Sequence, residues 1–198
     1  MLNPHPAAMA FLAARRSRPA KLFSGPVPNH DALRTIITTA LRVPDHGKLE
    51  PWRLIVLDRA AMIRLADLAE AVARDQGSDD TRIAKGRGQF DLGQVAVVVI
   101  SSPRGDAKPR VEQIASSAAL CMNLLNAAEA AGWGANWLTG WVAHDADFAA
   151  RAFGCTDAET VAGIVHIGTP AADGPDRTRP DIDRVTTWPP LLRTDAPA

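Results

Sequence analysis

The sequence predicts a single domain, residues 1–198, of alternating helices and strands with an α/β or α+β architecture. Segments with helical spacing of apolar residues alternate with short β-branched runs, of which residues 94–101 are the clearest. Hydrophobic residues make up 46% of the 198 and charged residues 22%, which is a globular composition. Helices that separate strands pack as layers on one sheet, but this pattern leaves strand order and pairing direction open.

The first half of the chain predicts helices around one strand. A helix over residues 6–16 precedes a Pro/Gly-rich link, and Asn29 is a suitable N-cap for a second helix that ends before Pro44. Residues 52–57 are a dense apolar run, typical of a buried strand, and residues 60–74 return to helical spacing.

The polar segment 76–91 contains several glycines and predicts an exposed excursion or lid. Residues 94–101 follow as a strand that is buried on both faces.

Residues 111–131 predict the longest helix. One face carries apolar residues at helical spacing, namely Val111, Ile114, Ala115, Ala118, Met122 and Leu125. The other positions are rich in Ala and Ser, which lets neighbouring backbones approach closely. This composition is typical of a central helix or of a helix at a subunit interface.

The last third predicts a strand over residues 136–141, a helix over 145–153 and a strand over 161–167. After Pro170 the chain is rich in Pro, Asp and Arg, which predicts an extended tail with a late strand over residues 182–188. Such a tail can hardly fold on itself, and we expect it to pack on a partner subunit.

Charge and cysteine usage exclude several classes of function. The 22 Lys and Arg residues balance the 22 Asp and Glu residues, so no basic field attracts nucleic acid or anionic lipid. Cys121 and Cys155 form no CxxC or zinc-spaced pattern and are expected to be buried, reduced thiols. The sequence has no apolar run of the roughly 20 residues that span a bilayer, and its short apolar start lacks the charge order of a signal peptide. We expect a cytoplasmic location.

Common catalytic motifs are absent from the sequence. It contains no G-x-S-x-G elbow, no phosphate-binding G-x-x-x-x-G-K-[ST] loop and no G-x-G-x-x-G fingerprint. The five histidines form no HExxH or HxH pair, so no metal site is expected.

Two polar clusters at element ends remain as candidates. Arg15, Arg16 and Ser17 lie where the first helix stops, and two guanidinium groups beside a hydroxyl can bind a phosphate in bidentate fashion. Arg42 and His46 flank the Pro44 break. Taken alone, both clusters fit a structural interpretation better, as cations that complement a helix dipole and as a solvated turn histidine.

The order of these clusters along the chain resembles the nitroreductase family of FMN-dependent oxidoreductases. Arg-Arg-Ser at 15–17 is followed by Arg-x-Pro-Asp-His-x-x-x-x-Pro-Trp at 42–52. Residues 132–140, Gly-Trp-Gly-Ala-Asn-Trp-Leu-Thr-Gly, resemble the glycine-rich segment beside the flavin, and residues 161–170 resemble the last core strand with its Gly-x-Pro turn. Gly-Ser-Asp-Asp at 77–80 is similar to a small, single-domain bacterial subgroup of NAD(P)H nitroreductases. The resemblance covers roughly residues 10–190.

The resemblance implies an α+β fold, with a mainly antiparallel central sheet flanked by helices, a long central or interface helix and an extended C-terminal tail. It also implies a homodimer with FMN at the subunit interface. Arg15, Arg16 and Ser17 would hold the phosphate and ribityl chain, and Arg42 and His46 would add contacts from the other subunit. Trp137, Leu138 and Thr139 would line the isoalloxazine ring.

The implied chemistry is hydride transfer from NAD(P)H to flavin N5, followed by reduction of a small oxidant such as a nitroaromatic or a quinone. No acid–base catalyst is nominated, because the cofactor carries the difficult step. Another redox reaction on the same scaffold, a non-catalytic flavin-binding protein and a ligand-free assembly protein are the alternatives. Lys48 and Glu50 stand where the family often has Asn and Gln, and an ionised Glu50 cannot donate a hydrogen bond to a flavin.

Overall fold

An antiparallel sheet with helices on both faces organises the chain in this computed structural model, which describes residues 3–172 and 176–188. The helices and strands in chain order are α1 Pro6–Ala14, β1 Phe23–Ser24, α2 His30–Ala40, β2 Trp52–Leu57, α3 Arg59–Asp75, α4 Asp80–Asp91, β3 Val95–Ser101, α5 Arg110–Ala130, β4 Gly134–Leu138, α6 Ala146–Phe153, β5 Thr160–Pro170 and α7 Ile182–Val185. Short 3-10 turns lie at Ala20–Leu22 and Trp141–Ala143.

Strand β5 is the centre of the sheet. It pairs with β3 from Val95↔Ile167 to Ser101↔Thr160 and with β4 from Gly134↔Gly168 to Leu138↔Ile164. β2 pairs with the other edge of β3, and the short β1 pairs with the last two residues of β5. Each of these pairings is antiparallel, which confirms the α+β fold that the family resemblance implies.

Two hydrophobic cores lie on opposite faces of the sheet, and β3 contributes to both. Val97 and Val99 face the core beneath α2 and α5, whereas Val98 and Ile100 face the core beneath α3, α4 and α6. Side chains alternate across a strand with a period of two, so a strand between two helical layers is apolar at every position. All seven residues of β3 are buried, as the sequence predicts.

Helix starts follow the capping chemistry of the sequence. The side chain of Asn29 accepts a hydrogen bond from the Ala32 backbone N–H at 2.9 Å, which confirms its predicted N-cap role. Asp58, Asp79 and Asp145 cap α3, α4 and α6 in the same way. Each such cap stabilises its helix by about 1 kcal/mol.

The predicted lid over residues 76–91 is wrong in form, because most of it is helix α4. Ile83, Gly86 and Phe90 face inward, and Phe90 is fully buried in the core. Their spacing of three and four residues is an apolar stripe. The polar residues around this stripe occupy the exposed face of α4. Because they are numerous, the composition of the segment predicted an exposed excursion instead of a packed helix.

Two predicted strands differ from the structure. The strand expected at residues 136–141 runs instead from Gly134 to Leu138, because Gly140 adopts a positive φ of 59° and Trp141 opens a 3-10 turn. The late strand expected at residues 182–188 is wrong. Residues Ile182–Val185 form a short helix, with the Asp181 side chain accepting the Asp183 backbone N–H.

Helix α5 confirms the predicted longest helix, but of the six residues predicted on its apolar face only Leu125 is buried. Val111 and Ile114 are 71% and 40% exposed, whereas Leu120, Cys121 and Leu124 are fully buried. Packing against the sheet therefore uses a neighbouring stripe of the helix. Cys121 and Cys155 are free thiols, and Cys155 is only partly buried.

Candidate functional site

A cavity of about 590 Å³ lies where the segment after α1 meets strand β4 and the C-terminal tail. Arg15, Arg16 and Ser17 line it together with Trp137 and Leu138 and with residues 176–180. Five of the eight site residues predicted from the sequence therefore lie in one cavity. Its size falls within the roughly 300–1,000 Å³ that is typical of ligand pockets.

Hydrogen bonds to β4 hold one wall of the cavity in place. The chain leaves α1 at Arg15 in an extended conformation, and the Arg18 backbone N–H donates to the Ala135 carbonyl at 3.1 Å. The amide nitrogen of Asn136 donates to the Ser17 hydroxyl at 3.1 Å. The positions of Arg15, Arg16 and Ser17 are therefore coupled to the strand that forms the opposite wall.

The charge lining the cavity is predominantly positive. Four arginines line it, with Asp176 as the single acidic residue of the lining, and an Asp176 carboxylate oxygen lies 3.3 Å from Arg16 Nη2. Arg177 and Arg179 belong to this set, and the Arg179 guanidinium donates to the Ala13 carbonyl. An excess of guanidinium groups suits a phosphate-bearing ligand. Sequence reasoning did not assign the two tail arginines, because no motif or spacing connects them to residues 15–17.

Asn136 adds an acceptor that the sequence analysis missed. The residue is 9% exposed, and its side-chain oxygen has no hydrogen-bond partner among the described residues. A buried amide oxygen without a partner is costly, so it favours a bound molecule that offers a hydroxyl or an N–H. The feature of the sequence that could have identified Asn136 is its position inside the glycine-flanked segment 132–140.

Trp137 contributes to the cavity from a fixed position. Its indole N–H donates to the Ala162 carbonyl at 3.2 Å, and a Cβ at Gly163 would lie 2.0 Å from the indole nitrogen. The ring thus packs closely against β5 at Gly163, where only glycine leaves room for it. Thr139, one residue beyond β4, is partly buried and does not line this cavity.

Arg42 and His46 are not brought to this cavity within one chain. Arg42 lines a separate cavity of about 520 Å³ with Lys48, Glu50 and Trp52, and its carbonyl accepts from the Asn123 side chain at 2.9 Å. His46 Nδ1 lies 2.6 Å from a carboxylate oxygen of Glu112, in the first turn of α5.

The turn between Arg42 and Trp52 is built around Asp45. Its two carboxylate oxygens accept the backbone N–H groups of Leu49 at 3.1 Å and Glu50 at 2.8 Å. Lys48 and Glu50 adopt positive φ values of 55° and 48°, which are uncommon for residues other than glycine. Such strain persists where surrounding contacts enforce it and is frequent at functional sites. The middle residue of the Pro-Asp-His pattern is therefore the organiser of the turn, a role that the sequence analysis did not assign.

A third cavity, of about 470 Å³, lies between α4 and residues 140–141, just beyond the β4 wall. The Arg82 guanidinium stacks 4.4 Å from the Trp141 ring centroid, and Lys85 and Gln89 complete this side. Residues of the predicted lid thus do face a cavity, although they do so from a helix.

Residues 3–172 and 176–188 contain neither a cluster of metal ligands nor a membrane-spanning helix. In that part of the chain no three His, Cys, Asp or Glu side chains are grouped so that they could hold a metal ion. No helix there is long and apolar enough to cross a membrane.

Comparison with known proteins agrees with the geometry. The model of the nitroreductase family matches residues 12–169. The Escherichia coli K12 protein named "Putative NAD(P)H nitroreductase YdjA" is 31% identical over 164 residues, which are 82% of this chain and 88% of that protein. A Haemophilus influenzae protein of the same descriptive name is 30% identical over 165 residues, with the same coverage of both chains.

Solved structures show the same fold at lower identity. A nitroreductase-like family protein from Bacillus cereus superposes with a TM-score of 0.77 at 20% identity, covering 96% of this chain and 100% of the other. A "putative nitroreductase in complex with FMN" from Desulfovibrio desulfuricans gives a TM-score of 0.72 at 20% identity, with 96% and 99% coverage. The matched length, the curated relatives and the position of Arg15, Arg16 and Ser17 against β4 together lead to one conclusion: the chain belongs to the nitroreductase family.

Proposed function

We propose that the chain binds FMN in the cavity between residues 15–17 and β4 and acts as an NAD(P)H-dependent oxidoreductase. The observation that carries this proposal is the cavity itself, which combines an arginine-rich end with the edge of a glycine-flanked strand. The names of similar proteins support it, since one solved structure is described as a "putative nitroreductase in complex with fmn" and one curated relative is named "Putative NAD(P)H nitroreductase YdjA".

The residues present fit the two ends of FMN. Arg15, Arg16 and Ser17 would hold the phosphate, a role to which Arg177 and Arg179 add positive charge. The unpartnered Asn136 oxygen would accept from the hydroxyl-rich ribityl chain.

The flat ring would lie along Trp137 and Leu138, which line the cavity, with Thr139 following directly at the end of β4. A ring of this kind favours apolar walls with a few fixed hydrogen-bonding groups.

When bound, FMN supplies hydride transfer from NAD(P)H through flavin N5 to a small oxidant such as a nitroaromatic or a quinone. The chain's own residues bind and orient the reacting molecules and exclude water. No side chain of the cavity is assigned a proton-transfer role.

The proposal includes a homodimer in which the partner subunit contributes Arg42 and His46. Two apolar faces support it. Helix α1 has no buried residue, with Met9 at 69% and Leu12 at 53% exposure, and α5 exposes Val111 at 71%. A second copy of the chain would cover these faces and bring the turn organised by Asp45 towards the flavin.

An anaerobic reductive titration tests the proposed function. The purified chain should be yellow, with flavin absorbance at about 450 nm, and NADH or NADPH should bleach it without oxygen. Recovery of the colour on adding a nitroaromatic or a quinone would complete the cycle. A colourless protein that takes up no FMN contradicts the proposal, and a yellow protein that neither nucleotide bleaches supports the non-catalytic flavin-binding alternative.

A further inference from the structure

Glu129 lies behind the proposed phosphate site in an unusual environment for a carboxylate. Its side chain is only 4% exposed, and its two oxygens face two different arginines. Oε2 lies 3.6 Å from Arg15 Nε, and Oε1 lies 3.8 Å from Arg18 Nη1. One carboxylate therefore joins both ends of the segment that carries Arg16 and Ser17.

The position of Glu129 is costly for a negative charge. It stands in the last turn of α5, which ends at Ala130, where the helix dipole favours cations. Burial raises the pKa of Glu129, while Arg15, Arg18 and the Arg16 backbone N–H act in the opposite direction. A charge so placed is compatible with the fold only because the arginine segment surrounds it.

The geometry of the Arg15 contact leaves that residue available to a ligand. Glu129 faces the Nε atom, and Arg15 also lines the cavity. The contact at 3.6 Å is an ion pair at Nε, and the two terminal nitrogens at the other end of a guanidinium group form the fork that binds phosphate oxygens. Arg18 donates to the Arg16 carbonyl at 3.4 Å, so the Glu129–Arg18 contact also restrains the backbone at Arg16.

We propose that Glu129 is a positioning residue that sets the orientation of Arg15 and the path of residues 15–18 for the flavin phosphate. The inference rests on the proposed FMN site. Glu129 does not contact the phosphate itself and acts through Arg15 and Arg18. Since it is a carboxylate close to a phosphate, its direct electrostatic effect on binding is repulsive, and its positioning effect is favourable.

These two effects give opposite expectations for Glu129→Gln, which keeps the shape and removes the charge. If Glu129 acted only as a nearby negative charge, its loss would tighten FMN binding. If it positions Arg15, the loss weakens FMN binding although the net charge of the segment becomes more positive.

The experiment compares FMN with riboflavin, which has the same ring and ribityl chain but no phosphate. Dissociation constants for both are measured by flavin fluorescence on full-length protein freed of flavin. We expect Glu129→Gln to lower the preference for FMN over riboflavin by about tenfold, as for one charged hydrogen-bonded contact, with riboflavin affinity unchanged. Glu70→Gln is the matched control, because Glu70 is also ion-paired with arginine but lies on α3, outside the cavity lining.

Each outcome decides the inference. An unchanged preference, a tighter FMN complex or an equal loss of both ligands overturns it, the last because a structural defect does not distinguish the phosphate. Glu129→Asp keeps the charge but shortens its reach, so it decides the question if Glu129→Gln does not fold. A several-fold loss of FMN preference in Glu129→Asp supports positioning, and a wild-type preference there overturns it. A wild-type protein that binds no FMN would instead refute the proposed function.

Discussion

His166 is a buried polar residue in the centre of the sheet, where its cross-strand neighbour on β4 is Asn136. It is 0% exposed, and neither ring nitrogen has a hydrogen-bond partner among the described residues. A Cβ added at the neighbouring Gly93 would lie within 3 Å of both Met62 Sδ and His166 Nδ1, so the imidazole is tightly enclosed. Burial lowers the pKa of His166 from 6.5 to about 4. The ring is accordingly neutral in the folded protein near neutral pH.

The first prediction concerns the pH dependence of stability. Between pH 6.5 and about 4 the unfolded chain binds a proton at His166 that the folded chain does not bind, so the free energy of unfolding falls as pH falls. The contribution reaches up to about 3 kcal/mol. His166→Leu should remove this part of the acid sensitivity, measured by urea unfolding at about pH 7 and about pH 4.5. A variant with the full wild-type loss of stability at the lower pH would show that His166 is not its source.

A second prediction at this scale concerns the space that Trp137 occupies. An alanine methyl at Gly163 would overlap the indole nitrogen, so Gly163→Ala must displace the ring and break its bond to the Ala162 carbonyl. We expect a loss of about 1–3 kcal/mol in stability and a changed tryptophan fluorescence. Gly88→Ala is the control, since nothing lies within 4 Å of its added methyl and helix α4 should gain about 0.5–1 kcal/mol. Equal effects of the two variants would contradict the packing argument.

Individual residues also show which site residues can be assigned from the sequence and which cannot. Arg15, Arg16 and Ser17 could be assigned because they precede the other motifs in the order that resembles the nitroreductase family. Asn136, Glu129 and Arg177 could not, because their roles depend on which strand and which tail segment lie opposite. A polar residue in a long Ala-rich helix, such as Glu129, carries no sequence signal that separates a buried ion pair from a solvated surface.

At the scale of elements, the sequence was most informative where one physical pattern dominated. The β-branched run of β3 and the Asn29 cap were predicted correctly, since burial on both faces and capping leave local signatures. Helix α4 was missed because its stripe of Ile83, Gly86 and Phe90 is narrow and includes a glycine. The short helix at Ile182–Val185 replaced a predicted strand because Asp181 provides a local cap that outweighs the apolar composition.

The turn that Asp45 organises gives a prediction for an entire element. Asp45→Ala removes the acceptors of the Leu49 and Glu50 backbone N–H groups, so the positive φ values of Lys48 and Glu50 lose their support. We expect a loss of about 1.5–3 kcal/mol in stability and weaker FMN binding through the displaced Arg42–His46 region. Asp106→Ala, in an exposed loop, is the control for removing an aspartate. Unchanged FMN affinity in a destabilised Asp45→Ala protein would show that this turn does not contribute to flavin binding.

At the scale of the whole molecule, the cavity exists because distant segments meet at one edge of the sheet. The pairing of β4 with β5 fixes residues 134–138, the Arg18–Ala135 hydrogen bond attaches residues 15–18 to β4, and residues 176–180 return across the same edge. The order of helices and strands in the sequence predicts that helices pack as layers on a sheet. It does not predict which strand and which segments lie at the edge of that sheet. The family resemblance supplied the antiparallel pairing, which periodicity alone left open.

The proposed exchange of residues between subunits gives the last prediction. If each flavin site takes Arg16 from one chain and Arg42 from its partner, then Arg16→Ala and Arg42→Ala homodimers each carry two defective sites. A heterodimer of the two variants would carry one site with both defects and one site with neither. Random pairing on co-expression should therefore restore about one quarter of the wild-type high-affinity FMN sites, whereas mixing the two separately purified dimers without exchange should restore none.

Flavin occupancy measured on the co-expressed and the separately purified proteins decides this prediction. If Arg42 instead served the cavity of its own chain, every chain in the mixture would remain defective and no occupancy would return. If Arg42 had no part in the site, Arg42→Ala alone would bind FMN normally. A monomer with full flavin occupancy would exclude the shared site, because the Arg42 and Arg16 cavities are separate within one chain.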